Sequence, residues 1–297
     1  MKDEMRMTQL MNTIEIFNVY YFLYIGFAIV LTLLSILYLD HQSIRFKKRF
    51  IVSLIIINFV VHFLKVFIYP YTLVDHVWTK VTFENISAST VLLFPLLYII
   101  KNQTLKDYMV IIGIYAGLIP FLYPADVISP IFNGTTYIGE RPAFLLENIR
   151  FYFAHYILFL VSFLMLRYQV HRVSVKRFYK IPFIFIGVLL ILFLNELVIT
   201  FFGGVPVEYL FDPSKRNPSF IFGIKDSFEG LSRFMGILVP RFMEVTHPTY
   251  GFTFFIPVVW MILPVLFFGG ILVIVFYAVF DKQFLHSIHI KRIERKH

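Results

Sequence analysis

Long apolar runs, broken by short polar clusters in which Lys and Arg gather, set the pattern of this chain. The runs lie at 17–39, 51–69, 83–100, 109–124, 150–167, 181–202 and 253–280. Several approach the roughly 20 consecutive apolar residues that carry an α-helix across a bilayer. In lipid a helix satisfies its own backbone hydrogen bonds, whereas an open sheet leaves an unpaired edge. The pattern therefore predicts an all-α fold: a polytopic helical membrane bundle of about seven transmembrane helices, forming one integral membrane domain over residues 1–297.

The basic residues predict how the bundle sits. Arg45, Lys47, Lys48 and Arg49 fall in one connection and Lys101 and Lys106 in another. Arg167, Arg172, Lys176, Arg177 and Lys180 fall in a third, and Lys282, Lys291, Arg292, Arg295 and Lys296 in the tail. These alternate segments hold 16 of the 27 basic residues. Cytoplasmic loops are enriched in Lys and Arg, so the amino terminus is expected outside and the carboxyl terminus in the cytoplasm of a multi-pass cell-membrane protein.

Composition sharpens this reading. With 59% hydrophobic and 15% charged residues, and a mean hydropathy of +0.77, the chain is too apolar for a soluble domain. The net charge of +9 then reflects topology, so membrane lipids are the expected partners and nucleic acid is not. Lys2, Asp3, Glu4, Arg6 and Glu15 precede an apolar run too long for a signal-peptide core, so the first helix is expected to stay. The absence of cysteine removes disulfides and thiol nucleophiles. Only the outer connection 203–252 has room for extra structure. There Asp226-Ser227-Phe228-Glu229 has capping-box spacing, and Phe228, Leu231, Phe234, Met235 and Leu238 recur at helical intervals, which predicts a short amphipathic helix.

Within the apolar runs, ionisable and polar side chains share a depth. Counted from the outer ends at 1.5 Å per residue, His62 and Lys65, then Glu84, Asn85 and Ser87, then His155 just below Arg150, then Asn195 and Glu196 share a depth of roughly 3–12 Å below the outer boundary. Charges at that depth generally face a bundle interior, a wet cavity or each other. A structural account is open too, with Lys65, Glu84 and Arg150 reaching to the interface and His155 and Asn195 joining helices.

The order of features in 83–202 resembles the YwaF-like integral membrane proteins, a bacterial group related to a vertebrate transmembrane acyltransferase of ether-phospholipid metabolism and, more distantly, to androgen-induced lipid hydrolases. The resemblance runs through 83-FENISASTVLLFPL-96, 118-LIPFLYPAD-126 and 149-IRFYFAHYILFL-160. It implies that His155 matches the family's intramembrane catalytic His and Arg150 the Arg before it. The family's third helix opens on a Leu-Pro-x-His-x-Cys-like pattern, from which this chain departs. It has no Pro there, Glu84 stands near the His position, and the Cys position falls at about Ile86 or Ser87. Either Ser87 replaces the thiol or acyl transfer is not performed.

Chemically, acyl transfer needs a nucleophile, a base, a group that orients the base, and donors for the oxyanion. Ser87 is the hydroxyl nucleophile available and His155 the base. Glu84 or Glu196 is the orienting carboxylate, and Asn85, Asn195 or Lys65 the donor, with His62 and Arg150 as further binding groups. No Gly-x-Ser-x-Gly elbow accompanies Ser87. Zinc hydrolysis is less favoured: His62, His155, Glu84 and Glu196 lack His-x-x-x-His spacing, and His76 and His247 lie in outer connections. Neither metal nor cofactor is expected. A lipid acyltransferase or hydrolase, a small-solute transporter, and a receptor or scaffold without catalysis all remain open.

Overall fold

Four helices start at side-chain caps, each of which satisfies an amide that the helix leaves without a partner. Asn18 accepts from Tyr21 N at the head of α1 (Val19–Asp40), and Ser43 from Phe46 N at the head of α2 (Ile44–Leu64). Asn85 accepts from Ala88 N for α3 (Ile86–Ile99), and Asn102 from Thr104 N and Leu105 N for α4 (Gln103–Leu122). The other α-helices of more than ten residues among the described ones are α5 (Leu146–Arg167), α6 (Ile181–Phe201) and α7 (Gly270–Phe280). The computed structural model describes residues 12–132, 136–223 and 237–281.

Among the described residues, six helical segments are long and apolar enough to cross a membrane: Val19–Asp40, Ile44–Phe67, Gln103–Ile128, Leu146–Arg167, Val175–Phe201 and Val259–Phe280. α3, at 14 residues, is about 21 Å long, short of a hydrocarbon core of roughly 30 Å. Several boundaries differ from those the apolar runs predict: α2 starts at Ile44 rather than 51 and α5 at Leu146 rather than 150. α4 starts at Gln103 rather than 109, because Asn102 caps it and its first turns keep the charged pair Lys106 and Asp107 helical. The last segment starts at Val259, since Thr253–Phe255 is a strand paired with Glu244–Thr246. The third begins at Ile86, which leaves Glu84 ahead of the cap instead of one turn above Ser87. The amphipathic helix expected from Asp226 falls, except for Leu238, outside the described residues, as do the basic residues of the tail.

α5 is the centre of the bundle, and α4 lies against it at close range. Gly113 and Gly117, four residues apart on α4, permit that approach. A Cβ built on Gly117 would sit 2.6 Å from Phe159 N and 2.8 Å from the carbonyl oxygen of His155. A Cβ on Gly113 would meet Ser162 Oγ and Phe94. Around this seam Met109, Val110, Leu158, Val161, Leu164 and Met165 form the buried core. A second cluster joins Leu189 and Leu192 of α6 to Phe222 and Trp260, whose Nε1 donates to Ile221 O at 3.0 Å. Phe22, Phe27, Leu33 and Leu37 of α1 and Phe183, Leu190, Leu194 and Val198 of α6 are exposed, as suits a surface that meets lipid.

The two ends of the bundle are built differently. At one, Asp107 of α4 is fully buried and accepts from His171 Nε2 at 2.5 Å, from Arg177 at 2.8 and 2.9 Å and from Tyr277 Oη at 2.6 Å. Arg167 and Tyr168 bind Asp40 at the same end, both at 2.8 Å. The opposite end gathers the connections 65–85, 123–145 and 203–223 together with the segment before α1, where Ala143 N donates to Asn12 O at 2.5 Å. A short hairpin, Ile131–Phe132 with Thr136–Tyr137, belongs to these connections.

Candidate functional site

Where those connections meet α2, α3 and α5 they enclose a cavity of about 1200 Å³. Asn58, His62 and Lys65 line it from α2, Ser87, Ala88 and Val91 from α3, and Arg150, Ala154, His155 and Leu158 from α5. The loops add Tyr71, Lys80, Glu84, Asn85, Arg141 and Arg216. Lys65 stands at the point where α2 tightens into a 3₁₀ turn, Lys65–Phe67, and is buried.

Seven of the nine residues picked from the sequence share this one cavity: His155, Ser87, Glu84, Lys65, His62, Asn85 and Arg150. Glu196 and Asn195 stand behind its wall. Glu196 is fully buried on α6 and accepts two hydrogen bonds from Arg216, one from Nε and one from Nη2. It thus anchors the 203–223 segment through an arginine that does line the cavity. Asn195 Nδ2 donates to Thr82 Oγ1 at 3.1 Å, tying α6 to the chain ahead of α3.

His155 is held from α4. Its Nδ1 lies 2.8 Å from Ala116 O, and a carbonyl oxygen only accepts, so Nδ1 carries the proton. In the neutral ring the Nε2 lone pair is then free, as a general base requires. The orienting group is thus a backbone carbonyl, made reachable by Gly117 next to Ala116, and neither Glu84 nor Glu196 bonds to the ring. Phe151 packs edge-on against the imidazole at 4.5 Å. Ser87 lines the same cavity, but no hydrogen bond joins it to His155. His62 Nε2 donates to Val81 O at 3.2 Å, and Asn85 Oδ1 is engaged as the α3 cap at 2.8 Å.

The charges form short networks. Glu84 has Lys65 Nζ at 3.5 Å and Lys80 Nζ at 3.7 Å. Arg150 grips Glu147 in a fork, both bonds 2.6 Å, and reaches Tyr71 Oη at 3.3 Å. The Tyr71 ring also lies under Lys65 and Arg150 at 5.2 and 5.6 Å, within cation–π range. Burial pushes the Tyr71 hydroxyl well above its ordinary range. Burial also holds the Lys80 ammonium below the usual lysine range, with Glu84 acting against it. Arg141 donates to the carbonyl oxygens of Asp126 and, at 3.0 Å, Ser129. Among the described residues no three His, Cys, Asp or Glu side chains converge as a metal site.

Lys80, Glu147, Tyr71, Arg141 and Arg216 are the lining and pairing residues that the apolar pattern does not reveal. Glu147 carries a readable signal, since it precedes Arg150 by one helical turn. Lys80, Arg141 and Arg216 fall in connections of no regular period, and only the fold brings them inward. No family model matches the sequence, and neither a curated protein nor a solved structure is significantly similar to it.

Proposed function

We propose that the chain is a multi-pass protein of the cell membrane with seven spans and its cavity at the outer face, and that it hydrolyses an acyl ester of a membrane lipid there. The basic connections on alternate segments support that orientation, and the motifs around Glu84 and His155 support kinship with the YwaF-like proteins. The observation that carries the reading is His155: its Nδ1–H is fixed on Ala116 O and its ring lines a polar cavity beside apolar helix faces. In the proposed reaction Nε2 takes a proton from water as the water oxygen bonds to the ester carbonyl carbon. Collapse of the tetrahedral intermediate breaks the bond to the alcohol oxygen, which receives that proton from His155. Direct activation of water is favoured over a seryl intermediate because Ser87 makes no hydrogen bond to His155.

The test is release of fatty acid from phospholipid in proteoliposomes. His155→Ala is expected to lower it by about 10²–10⁴-fold, the usual contribution of a positioned base. Ser87→Ala is expected to retain most turnover. An equal loss in both variants would instead indicate a seryl ester intermediate.

A further inference from the structure

Formal charge over the lining residues, with Glu196 behind the wall counted in, leaves one surplus cation. Arg150 is closed by Glu147 and Arg216 by Glu196, each through two hydrogen bonds. Of the other lining charges, Arg141 and Lys215 are matched in number by Asp75 and Asp126. Lys65 and Lys80 remain, with the single carboxylate of Glu84 at 3.5 and 3.7 Å. Both lysines are more than nine-tenths buried. One shared carboxylate at that range does not replace the hydration two buried ammonium groups have lost.

A further donor lies on the same wall. At the start of α3, Ile86 N–H donates to Ser219 Oγ at 2.9 Å and Ala88 N–H to Asn85 Oδ1 at 2.8 Å. Ser87 N–H has no acceptor among the described residues. Ser87 lines the cavity with Lys65 and Lys80, and its orphan amide belongs to the positive end of the helix that borders that space. Apolar side chains, Ala88, Val91 and Leu158, continue the lining.

We propose that Lys65, Lys80 and the first turn of α3 seat a phosphodiester, that of a glycerophospholipid headgroup. A phosphodiester carries one negative charge, equal to the surplus, and its oxygens accept from ammonium and amide donors together. The apolar continuation of the wall suits the glycerol backbone and the first acyl carbons. The source of the phosphate rests on the lipid reading above; the seat itself rests on the charge count and the orphan amide.

Binding to the full-length protein in nonionic detergent tests this, with the His155→Ala protein measured beside the wild type so that turnover does not enter. The probes are phosphatidylcholine, whose phosphodiester is its sole anionic group, diacylglycerol with the same tails, and inorganic phosphate. Phosphatidylcholine is expected to bind at least about tenfold tighter than diacylglycerol, the scale of a charged hydrogen bond. Lys65→Gln and Lys80→Gln should each abolish that preference, while Lys80→Arg and the exposed, distant Lys101→Gln keep it. Equal binding of the two lipids by the wild type would overturn the proposal, and this comparison stands even if a glutamine variant fails to fold. Inorganic phosphate is expected to compete with phosphatidylcholine; binding of phosphate without binding of the phospholipid would overturn the lipid assignment. Phospholipid preference without ester turnover removes the hydrolase and keeps the seat, and turnover without preference does the reverse.

Discussion

Single side chains differ here in what their loss exposes. Removing Glu84 leaves two buried ammonium groups with no carboxylate, whereas removing Lys65 leaves Glu84 paired with Lys80. Glu84→Ala is therefore expected to cost about 3–5 kcal/mol, and Lys65→Ala nearer about 1–3 kcal/mol. Leu190→Ala, at an exposed position on α6, should cost less than either. Thermal unfolding in detergent orders the three, and an equal loss for all would mean that these charges do not pair in the folded protein. The position of Lys65, Glu84 and His155 on one cavity was legible from their common depth, because a charge in an apolar run must find a partner or water. The particular partners were not legible. Glu196 meets Arg216, and His155 meets a carbonyl, through contacts spanning 20 and 39 residues, which no local spacing encodes.

At the scale of elements, the α4–α5 seam decides where His155 sits. Gly113 and Gly117 stand in a Gly-x-x-x-Gly pattern, a readable signal for close helix packing that the search for apolar runs passes over. Gly117→Val would drive a side chain into the α5 backbone beside His155 and is expected to destabilise by about 1–3 kcal/mol. It should also weaken the bond from His155 Nδ1 to Ala116 O. Gly26 of α1 has nothing within 4 Å of a built Cβ, so Gly26→Ala should be neutral or stabilising by up to about 1 kcal/mol. Melting curves of the two variants measure the contrast; equal tolerance would mean that α4 and α5 lie farther apart. At the far end Asp107 joins α4, the segment 171–177 and α7 through three partners. Its burial explains why a charged residue lies inside a spanning helix and why that helix starts earlier than its apolar run.

For the whole molecule, period and apolarity were enough to read a helical membrane bundle, since each spanning helix must satisfy its backbone alone. The loops over the cavity were not readable, because their order comes from ion pairs and caps between distant segments. The chain's lack of cysteine makes orientation directly measurable. With Lys215→Cys or Lys48→Cys, both at exposed positions, an impermeant maleimide on intact cells should label position 215 at once and position 48 only after permeabilisation. The reverse would place the cavity on the cytoplasmic side. Sidedness and chemistry meet in one measurement: ester release from a labelled phospholipid supplied only to the leaflet on the Lys215 side of oriented proteoliposomes. The account predicts release by the wild type and its loss in folded His155→Ala protein; release that is undiminished by that substitution, or confined to the opposite leaflet, would contradict it.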